Sequence, residues 1–365
     1  MTGIHDNGPQ RVGVVGCGAI AANHVEAYAA LAGVEVVGCC DVDEERARRF
    51  AADHGIAPAA GLAQLAERGA TLVSVCTPHP THEAVVLEAA ALGLHVQCEK
   101  PIAIDLAAAQ RMVSACEQAG VTLGVSFQRR HWPAARRIRE AIDDGRLGDP
   151  VLAHVSVLLH RDSSYYTKDP WRGSWKSDGG GVLMTQAVHN LDLLTWYLGE
   201  PVSASARWAQ FRHGEVIEVE DTLVGHVAFA SGALATISAS TALAPGLGTH
   251  LLVVGSTGAC VGLREYPEGA IAVNDLWTLP GQEAMSGPSG LLPDPDLATV
   301  NGSLKPFHAL HLADFVEAVR TGRTPAVSGA DALRSLSLVL ALYESARTGT
   351  TVSIPSITTH CQETT

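Results

Sequence analysis

The stretch RVGVVGCGAIA, residues 11–21, decides the fold of the N-terminal part of the chain. Its first five residues predict a buried strand, and the residues after Gly18 predict the start of a helix. The pattern Gly16-x-Gly18-x-x-Ala21 provides a tight turn, a bare backbone and a small residue at the helix–strand contact. Such a turn lets backbone amides approach a pyrophosphate at the helix N-terminus, so the stretch predicts a dinucleotide site. The residues of this turn expected to contact the dinucleotide are Gly16, Gly18, Ala19 and Ile20.

A carboxylate after the second predicted strand indicates which dinucleotide is bound. Asp41 directly follows strand 35–40 and lies 23 positions after Gly18 (41 − 18 = 23). A carboxylate at this position accepts hydrogen bonds from the adenosine ribose hydroxyls and repels a 2′-phosphate. The next residue is Val42, not an arginine that would bind such a phosphate. The sequence therefore predicts NAD, with NADP the less favoured cofactor.

Short apolar segments alternate with helical segments from residue 11 to about residue 124. Strands without polar alternation, each followed by a helix, are typical of a parallel sheet with helices on both faces. The predicted strands are 11–15, 35–40, 72–76, 95–98 and 122–125. The predicted helices are 21–32, 44–54, 82–92 and 106–119. We therefore expect an α/β, doubly wound Rossmann domain over residues 1–130.

Further candidate residues follow two of these strands, at the sheet edge where parallel sheets bind ligands. Thr77, Pro78 and His82 come after the third strand, and Glu99 and Lys100 close the fourth. All five are expected to contact the cofactor. The alternative for the first three is a proline-stiffened turn, and the alternative for Lys100 is a surface lysine at a strand end. Beside a cofactor, however, the ammonium group of Lys100 can hold a substrate hydroxyl and help it lose its proton.

The pattern changes after Arg130, where several long strands follow one another without helices between them. Such a run predicts a mostly antiparallel sheet with one open face. The strands predicted here are 150–160, 203–210, 222–228, 233–240, 250–255 and 270–273. Helices are predicted over 132–144, 178–198, 308–321 and 330–347, and a loop over 280–302. We expect a second, α+β domain over residues 131–355 and a tail over 356–365.

A glycine triplet at residues 179–181 opens the helix that carries a second set of candidates. Glycines permit a close backbone approach, and helical spacing places Thr185, His189 and Asp192 on one face, with Gln186 nearby. A lone histidine on a helix is usually structural, but these polar neighbours favour a functional role. Because histidine titrates near neutral pH, His189 can accept the proton of a hydroxyl as hydride leaves the carbon.

Segment 161–175 is rich in Arg, Tyr and Trp, the residue types that bind sugars and anions. Aromatic rings stack on sugar C–H surfaces, and an arginine binds a carboxylate or phosphate through two parallel bonds. The alternative is a contact between domains or subunits. The residues expected to contact the substrate are Gln128, Arg161, Tyr165, Trp171, Arg172, Trp175, Thr185, Gln186, His189 and Asp192.

Composition argues against several classes of function. The 365 residues carry a net charge of −13 without a basic block, so neither a nucleic acid nor a membrane surface is expected as a partner. The N-terminal residues show no export signal, and the eight cysteines form no C-x-x-C pair. Both features are typical of a cytoplasmic protein with free thiols. No cluster of cysteine and histidine has zinc-ligand spacing, and no metal is expected.

Taken together, the motifs show a family resemblance. The chain resembles the Gfo/Idh/MocA oxidoreductases from residue 11 to about residue 355. The shared motifs are Gly16-x-Gly18-x-x-Ala21, Thr77-Pro78, Glu99-Lys100-Pro101, the glycine-triplet helix ending in His189-x-x-Asp192, and the pattern from Asp314-Phe315 to Tyr343-Glu344-Ser345-Ala346. The resemblance implies a Rossmann domain, then an α/β domain with an open sheet, and homodimers or homotetramers packed through that sheet. It also implies Lys100 and His189 as the catalytic pair.

One position departs from the family pattern. Sugar and inositol dehydrogenases of the family usually carry an aspartate four residues before the catalytic histidine, and Thr185 stands there. A hydroxyl cannot stabilise a protonated imidazole by charge. Either Asp192 supplies that charge, or Lys100 and His189 suffice with the substrate's own groups. An uncharged residue here, together with the aromatic and arginine pattern of 165–175, resembles the sugar-nucleotide oxidases of the family.

The motifs and the resemblance predict an NAD-dependent dehydrogenase. It would oxidise a secondary hydroxyl of a sugar, a sugar derivative such as a sugar nucleotide or uronate, or a cyclitol to a ketone, or catalyse the reverse reduction. One alternative is an NAD-dependent glycosidase, in which hydride leaves and returns. Another is a regulator that binds NAD and a sugar without turnover. The presence of both Lys100 and His189 disfavours the regulator.

Overall fold

The computed structural model of the chain describes residues 9–169 and 171–356. These residues form two compact units. The first contains the chain up to His131 together with Leu304–Gly329, and the second contains Trp132–Ser303 and the chain from Ala330 onward. Nearly all of the predicted tail (357–365) lies outside the described residues, and so do residues 1–8, in which no export signal is expected. No helix of the described part has the length and apolar character needed to cross a bilayer.

The first unit is built on a wholly parallel, five-stranded sheet. Its strands are β1 (Gln10–Val15), β2 (Val34–Cys40), β3 (Leu72–Val75), β4 (His95–Cys98) and β5 (Leu123–Val125). Its N-terminal helices are α1 (Ala19–Ala29), α2 (Glu44–His54), α3 (Leu62–Glu67), α4 (His82–Ala91) and α5 (Leu106–Ala119). The strand order β2-β1-β3-β4-β5 places a topological switch point between β1 and β3. At such a point the loops after the strands separate and leave a crevice for a ligand.

The second unit is built on a seven-stranded sheet. Its strands are β6 (Pro150–Leu158), β7 (Pro201–Ala209), β8 (Thr222–Phe229), β9 (Leu234–Ser240), β10 (Gly248–Gly255), β11 (Cys260–Glu265) and β12 (Val352–Ser353). The helices of this part are α6 (Pro133–Asp143), α7 (Ser163–Thr167), α8 (Val188–Leu198), α9 (Leu297–Thr321) and α10 (Gly329–Thr348). The order is β11-β10-β6-β9-β8-β7-β12, and every pair is antiparallel except β6 with β9. The predicted fold class, a Rossmann sheet followed by a mostly antiparallel sheet, is confirmed.

One face of the seven-stranded sheet is open. Leu152, Val224 and Leu234 are 45%, 53% and 56% exposed, whereas Ala153, Leu223 and Ala235, which follow or precede them in sequence, are buried. Leu152 pairs directly with Leu234 across β6 and β9, and Val254 of β10 lies opposite Leu152 on its other side. The open face therefore carries a row of apolar side chains.

Two predicted boundaries in this part of the chain are wrong. The predicted strand 270–273 is absent, and Val273 forms only an isolated bridge with Arg264 of β11. Strand β11, at Cys260–Glu265, is not among the predicted strands. Buried and exposed residues do not alternate along it, so its sequence lacks the period of two that identifies a half-buried strand. Helix α9 begins at Leu297, inside the predicted loop, and contains Pro306. The prediction placed this start in a loop because segment 280–302 is rich in Gly, Pro and Asp.

The part of α9 from Leu304 onward belongs to the first unit, although the prediction places these residues in the domain 131–355. Phe315 lies in one core cluster with Val12 of β1 and Tyr28 of α1. A Cβ at Gly124 of β5 would lie 2.6 Å from the Phe315 ring, so this side chain packs directly on the parallel sheet. The core of the first unit is thus completed by a segment that follows most of the second unit in sequence.

Candidate active site

The glycine turn follows β1 at the switch point of the parallel sheet. Gly16 has a φ of +89°, and a Cβ there would lie 2.9 Å from the backbone of Cys76 and from Thr77 Cγ2. Glycine is required at this position because the turn packs against the end of β3 in a left-handed conformation. By contrast, a Cβ at Gly18 would meet no atom within 4 Å, and no side chain caps α1 there. The backbone that leads into Ala19 and Ile20 therefore faces open space.

Asp41 holds this turn from the end of β2. Its Oδ2 accepts a hydrogen bond from Cys17 N at 2.8 Å, and its Oδ1 accepts one from Asp43 N at 2.9 Å. The Arg46 guanidinium lies 3.4 Å from the same Oδ1. Sequence reasoning missed Arg46 because it considered only the residue that directly follows Asp41. Val42, that next residue, is fully exposed.

Two buried oxygens after strands of the parallel sheet have no hydrogen-bond partner among residues 9–169 and 171–356. They are Thr77 Oγ1, after β3, and Gln128 Oε1, after β5. A buried polar atom without a partner costs about 1–3 kcal/mol, and native structures usually satisfy it with a ligand or water. The open backbone at Gly18 and the Thr77 oxygen fit a bound dinucleotide, and Gln128 stays a predicted contact of the substrate. Pro78, also predicted to contact it, is exposed beside Thr77.

His82 is a structural residue, and the structure corrects its predicted contact with the cofactor. Its side chain is fully buried, with Nδ1 3.0 Å from Pro101 O and Nε2 2.9 Å from Thr77 O. Burial lowers the pKa of His82. The neutral ring has one N–H to donate to these carbonyl oxygens, and both of its nitrogens lie against the backbone of the loops after β3 and β4, so neither nitrogen faces a ligand.

The Glu99 side chain is also engaged inside the protein. Its Oε1 bonds His24 Nε2 at 2.9 Å, and its Oε2 accepts a hydrogen bond from Lys100 N at 3.3 Å. Burial opposes the charge of Glu99, but the hydrogen bond and charge of His24 hold the pKa of this carboxyl below its ordinary value. Burial opposes protonation of His24, whereas Cys76 and Glu99 favour it, and the pKa of His24 rises to about 10. The ion pair with His24 holds the Glu99 carboxylate, which in turn holds the backbone N–H of Lys100. These bonds to the protein stand in place of the predicted contact between Glu99 and the cofactor.

Hydrogen bonds near this pair form a buried polar network in the first unit. His24 Nδ1 lies 2.9 Å from Ser74 Oγ. Gln97 Nε2 donates to Ser126 Oγ at 3.1 Å and lies 3.0 Å from His311 Nε2. Gln97 Oε1 of the same network is buried without a partner among residues 9–169 and 171–356, so the network is satisfied only in part. The only signal of His24 in the sequence is a polar residue within an apolar helix, so sequence reasoning missed it.

In the second unit, His189 is 7% exposed in the first turn of α8. A π-helical turn, Leu183–Ala187, directly precedes α8. Such a turn holds an extra residue, so the angles between the side chains of 183–187 and those of α8 differ from the α-helical spacing on which the prediction rested. Asp192 is fully buried and accepts a hydrogen bond from Ser335 Oγ at 3.2 Å. Its predicted contact with the substrate is therefore corrected.

Thr185 begins a chain of polar contacts that ends at Arg172. Thr185 Oγ1 donates to Gly181 O at 2.7 Å and also contacts Gln186 Oε1. Gln186 Nε2 donates to Tyr165 Oη at 3.0 Å, and Arg172 Nη1 donates to the same oxygen at 2.7 Å. Since Tyr165 Oη accepts both bonds, it retains its own proton, for which the described residues offer no acceptor.

The guanidinium of Arg172 is oriented and still carries donors. It lies over the rings of Tyr165 and Trp171, 4.5 Å and 4.4 Å from their centroids. Its Nε donates to Asp169 Oδ2 at 3.0 Å, and the side chain is 21% exposed. Within the described part of the chain, Nη2 has no hydrogen-bond partner. Stacked, partly exposed guanidinium groups of this kind bind carboxylates and phosphates.

Two other candidates of segment 161–175 serve the second unit itself. Arg161 Nη1 and Nη2 lie 2.7 Å and 2.6 Å from the two carboxylate oxygens of Glu268, and its side chain is 8% exposed. This pair uses the donors expected to bind the substrate, so that prediction is corrected. Trp175 Nε1 donates to Glu218 O at 3.1 Å, and its ring contacts Tyr343 and Trp208.

The predicted catalytic residues Lys100 and His189 belong to different units. Their convergence on one crevice therefore stays a prediction.

A parallel sheet with an open glycine turn at its switch point is typical of dinucleotide-binding proteins, and in this chain a large open sheet follows it. Residues 10–127 match the family described as "Oxidoreductase family, NAD-binding Rossmann fold", and residues 135–261 match "GFO/IDH/MocA C-terminal domain". The chain belongs to the Gfo/Idh/MocA oxidoreductase family. It is an enzyme that acts on CH–OH donors, and the predicted cofactor, NAD, is confirmed.

Characterised relatives span nearly the whole chain. The 1,5-anhydro-D-fructose reductase of Ensifer adhaerens is 29% identical over 355 residues, which cover 94% of this chain and 98% of the relative. The myo-inositol 2-dehydrogenase of Thermotoga maritima is 27% identical over 345 residues, 92% of this chain and 96% of the relative. The crystal structure of the WlbA dehydrogenase from Bordetella pertussis in complex with NADH and UDP-GlcNAcA is similar, with a TM-score of 0.83. Its identity is 31%, over 96% of this chain and 99% of that chain.

A valine at Gly18 should weaken NADH binding about tenfold or more, because its side chain would occupy the open space before α1. The melting temperature should change by no more than about 2 °C, since no protein atom is displaced. The matched control is Gly61→Val, because Gly61 also precedes a helix and a Cβ there meets no atom within 4 Å. Fluorescence titration with NADH measures both variants. Equal affinities would show that this turn does not hold the cofactor.

Proposed function

We propose that this protein is an NAD-dependent dehydrogenase that oxidises a secondary hydroxyl of an acidic sugar derivative, or reduces the corresponding ketone. The observation that carries the proposal is the oriented guanidinium of Arg172, linked through Tyr165 and Gln186 to Thr185. The relatives support the sugar class, since they include a dehydrogenase of a cyclitol and a reductase of an anhydro sugar. The similar WlbA structure contains UDP-GlcNAcA.

The first unit supplies the groups that fit NAD. The N-terminus of α1 after Gly18 would hold the pyrophosphate, and Asp41 would bind the adenosine ribose. Its carboxylate also favours NAD over NADP, because it repels a 2′-phosphate. Thr77 would gain a partner for its buried oxygen. When bound, NAD accepts the hydrogen that leaves the substrate carbon with its electron pair.

Lys100 and His189 divide the proton chemistry. The ammonium group of Lys100 donates a hydrogen bond to the substrate hydroxyl oxygen and favours its deprotonation, and the imidazole of His189 accepts the proton. The bond from Lys100 N to Glu99, itself paired with His24, holds the lysine backbone in place. These roles require positioning more than any group of unusual reactivity.

The charges of the second unit favour an anionic substrate. Thr185 is neutral where sugar and inositol dehydrogenases of the family carry an aspartate, and Arg172 adds a cation in contact with the same polar chain. A substrate with its own carboxylate or phosphate would bring the missing negative charge and bond Arg172 Nη2.

We further propose that a second copy of this chain covers the open face of the seven-stranded sheet. The row formed by Val254, Leu152 and Leu234 would lose its exposure to water in such a homodimer, or in a homotetramer built from it.

Lys100→Ala should lower kcat by at least ~10²-fold and leave the Kd of NADH near its normal value, as expected for a group that serves proton transfer. Stoichiometric NADH formation with uronates, sugar nucleotides, sugars and inositols measures turnover, and Lys176→Ala, at an exposed lysine, is the control. Unchanged turnover would remove Lys100 from the mechanism. Cleavage of a glycoside without net NADH would instead identify the glycosidase.

Arg172→Gln should remove a preference for acidic substrates. We expect the wild type to favour D-glucuronate over D-glucose, and UDP-glucuronate over UDP-glucose, by about tenfold or more in kcat/KM. If the wild type instead prefers only UDP sugars over free sugars, and Arg172→Gln loses that preference, Arg172 binds the phosphates of the substrate. The control is Lys168→Gln, an exposed cation directly after α7. Equal use of neutral and acidic substrates by the wild type would contradict the assignment.

Leu234→Arg should shift the protein to a monomer, because it places a charge in the apolar row beside Leu152. Light scattering coupled to size exclusion measures the mass, with the wild type expected as a dimer or tetramer. A monomeric wild type would refute the second copy on this face.

A further inference from the structure

A buried carboxylate outside the predicted site holds the segment that leads into α8. Glu220, fully buried before β8, accepts hydrogen bonds from Gly181 N through Oε2 at 2.8 Å and from Leu183 N through Oε1 at 2.9 Å. Tyr343 Oη donates to Glu220 Oε1 at 2.8 Å and accepts from Met184 N at 3.2 Å. We call Glu220 and Tyr343 the carboxylate clamp.

The clamp explains the glycine triplet. Val182 N donates to the backbone oxygen of Glu220 at 3.3 Å, so four consecutive amides, 181–184, bond to the two clamp residues. A Cβ at Gly181 would overlap this backbone oxygen, and a Cβ at Gly180 would overlap the Tyr343 ring. The absence of side chains at Gly180 and Gly181 therefore lets their backbone pack directly against Tyr343 and Glu220.

The clamped segment continues directly into the candidate catalytic helix. The π-helical turn Leu183–Ala187 contains Thr185, and His189 follows in the first turn of α8. A carboxylate at the amides that open a helical segment is favoured by their positive partial charge. Burial raises the pKa of Glu220 to about 7, although the amides and Tyr343 stabilise the carboxylate.

We propose that Glu220, held by Tyr343, is a positioning residue for the reaction. It sets the place of Thr185 and His189 through the backbone of residues 181–184, and it touches neither the substrate nor the cofactor. The inference rests on the proposed role of His189. Glu220 was not a candidate in the sequence because a single glutamate before a strand carries no motif.

Glu220→Gln tests the clamp with little change in volume. The amide retains one acceptor and turns an N–H group toward a backbone N–H, so the amides 181–184 lose part of their support. We expect kcat to fall by about tenfold or more, because small displacements of a reacting group cost this much. The KM of NAD should stay within about twofold, since the predicted cofactor site lies in the first unit. Hydrogen exchange of a peptide covering 181–184 should become faster.

Asp221→Asn is the matched control. Asp221 is the neighbouring buried carboxylate, but it accepts from the amides of Phe211, Arg212 and His213. This variant should accelerate exchange at 211–213 and lower the melting temperature, with kcat within about threefold of the wild type at a permissive temperature. Tyr343→Phe removes one bond to Glu220 and one to Met184 while keeping the ring. It should show a smaller loss of kcat, and it serves as the test if Glu220→Gln does not fold.

The outcomes separate this inference from the proposed function. Normal kcat in folded Glu220→Gln, or equal losses of kcat in Glu220→Gln and Asp221→Asn, would overturn the positioning role. His189→Asn is measured in parallel. If it retains turnover, the proposed role of His189 fails, and with it the effect of the clamp on catalysis. Unchanged exchange at 181–184 in Glu220→Gln would refute the clamp itself.

Discussion

The contact between the backbone of Gly16 and the end of β3 at Cys76 fixes the carboxyl edge of the first sheet. Because no side chain fits between them, the turn after β1 lies directly against Thr77. Asp41 reaches the same turn from β2 and bonds Cys17 N. The carboxyl ends of β1, β2 and β3 therefore lie together. The N-terminus of α1 lies at the same place, and no side chain caps it.

Two sets of glycines look alike in the sequence and act differently in the structure. At Gly18 the missing side chain leaves open space, which suits a ligand. At Gly180 and Gly181 the space is already filled by Tyr343 and Glu220 of the same unit. A glycine in a motif indicates only that another group, from a ligand or from the protein, lies close to the backbone. Whether that partner is a ligand or the protein depends on residues that are distant in sequence.

Much of the fold followed from local patterns, and parts of the site did not. Continuous apolar strands and the glycine turn predict the Rossmann sheet because each signal lies within a few residues. The internal partners of Arg161 and His82 come from distant or backbone groups that no local pattern indicates, so both residues looked available for ligands. Glu220 was missed for the same reason. The place of Phe315 in the first core also depends on tertiary packing alone.

The return of α9 to the parallel sheet has a consequence for synthesis of the chain. The segment that carries Phe315 begins at Leu304, 173 residues after His131 (304 − 131 = 173). At translation rates of 5–20 residues per second, it emerges about 10 to 35 s later. During that interval the nascent Rossmann sheet exposes the apolar surface around Gly124 that the aromatic ring later covers. The ribosome-bound N-terminal part is then a natural client for chaperones, and a gene fragment ending near His131 would encode an unfinished core.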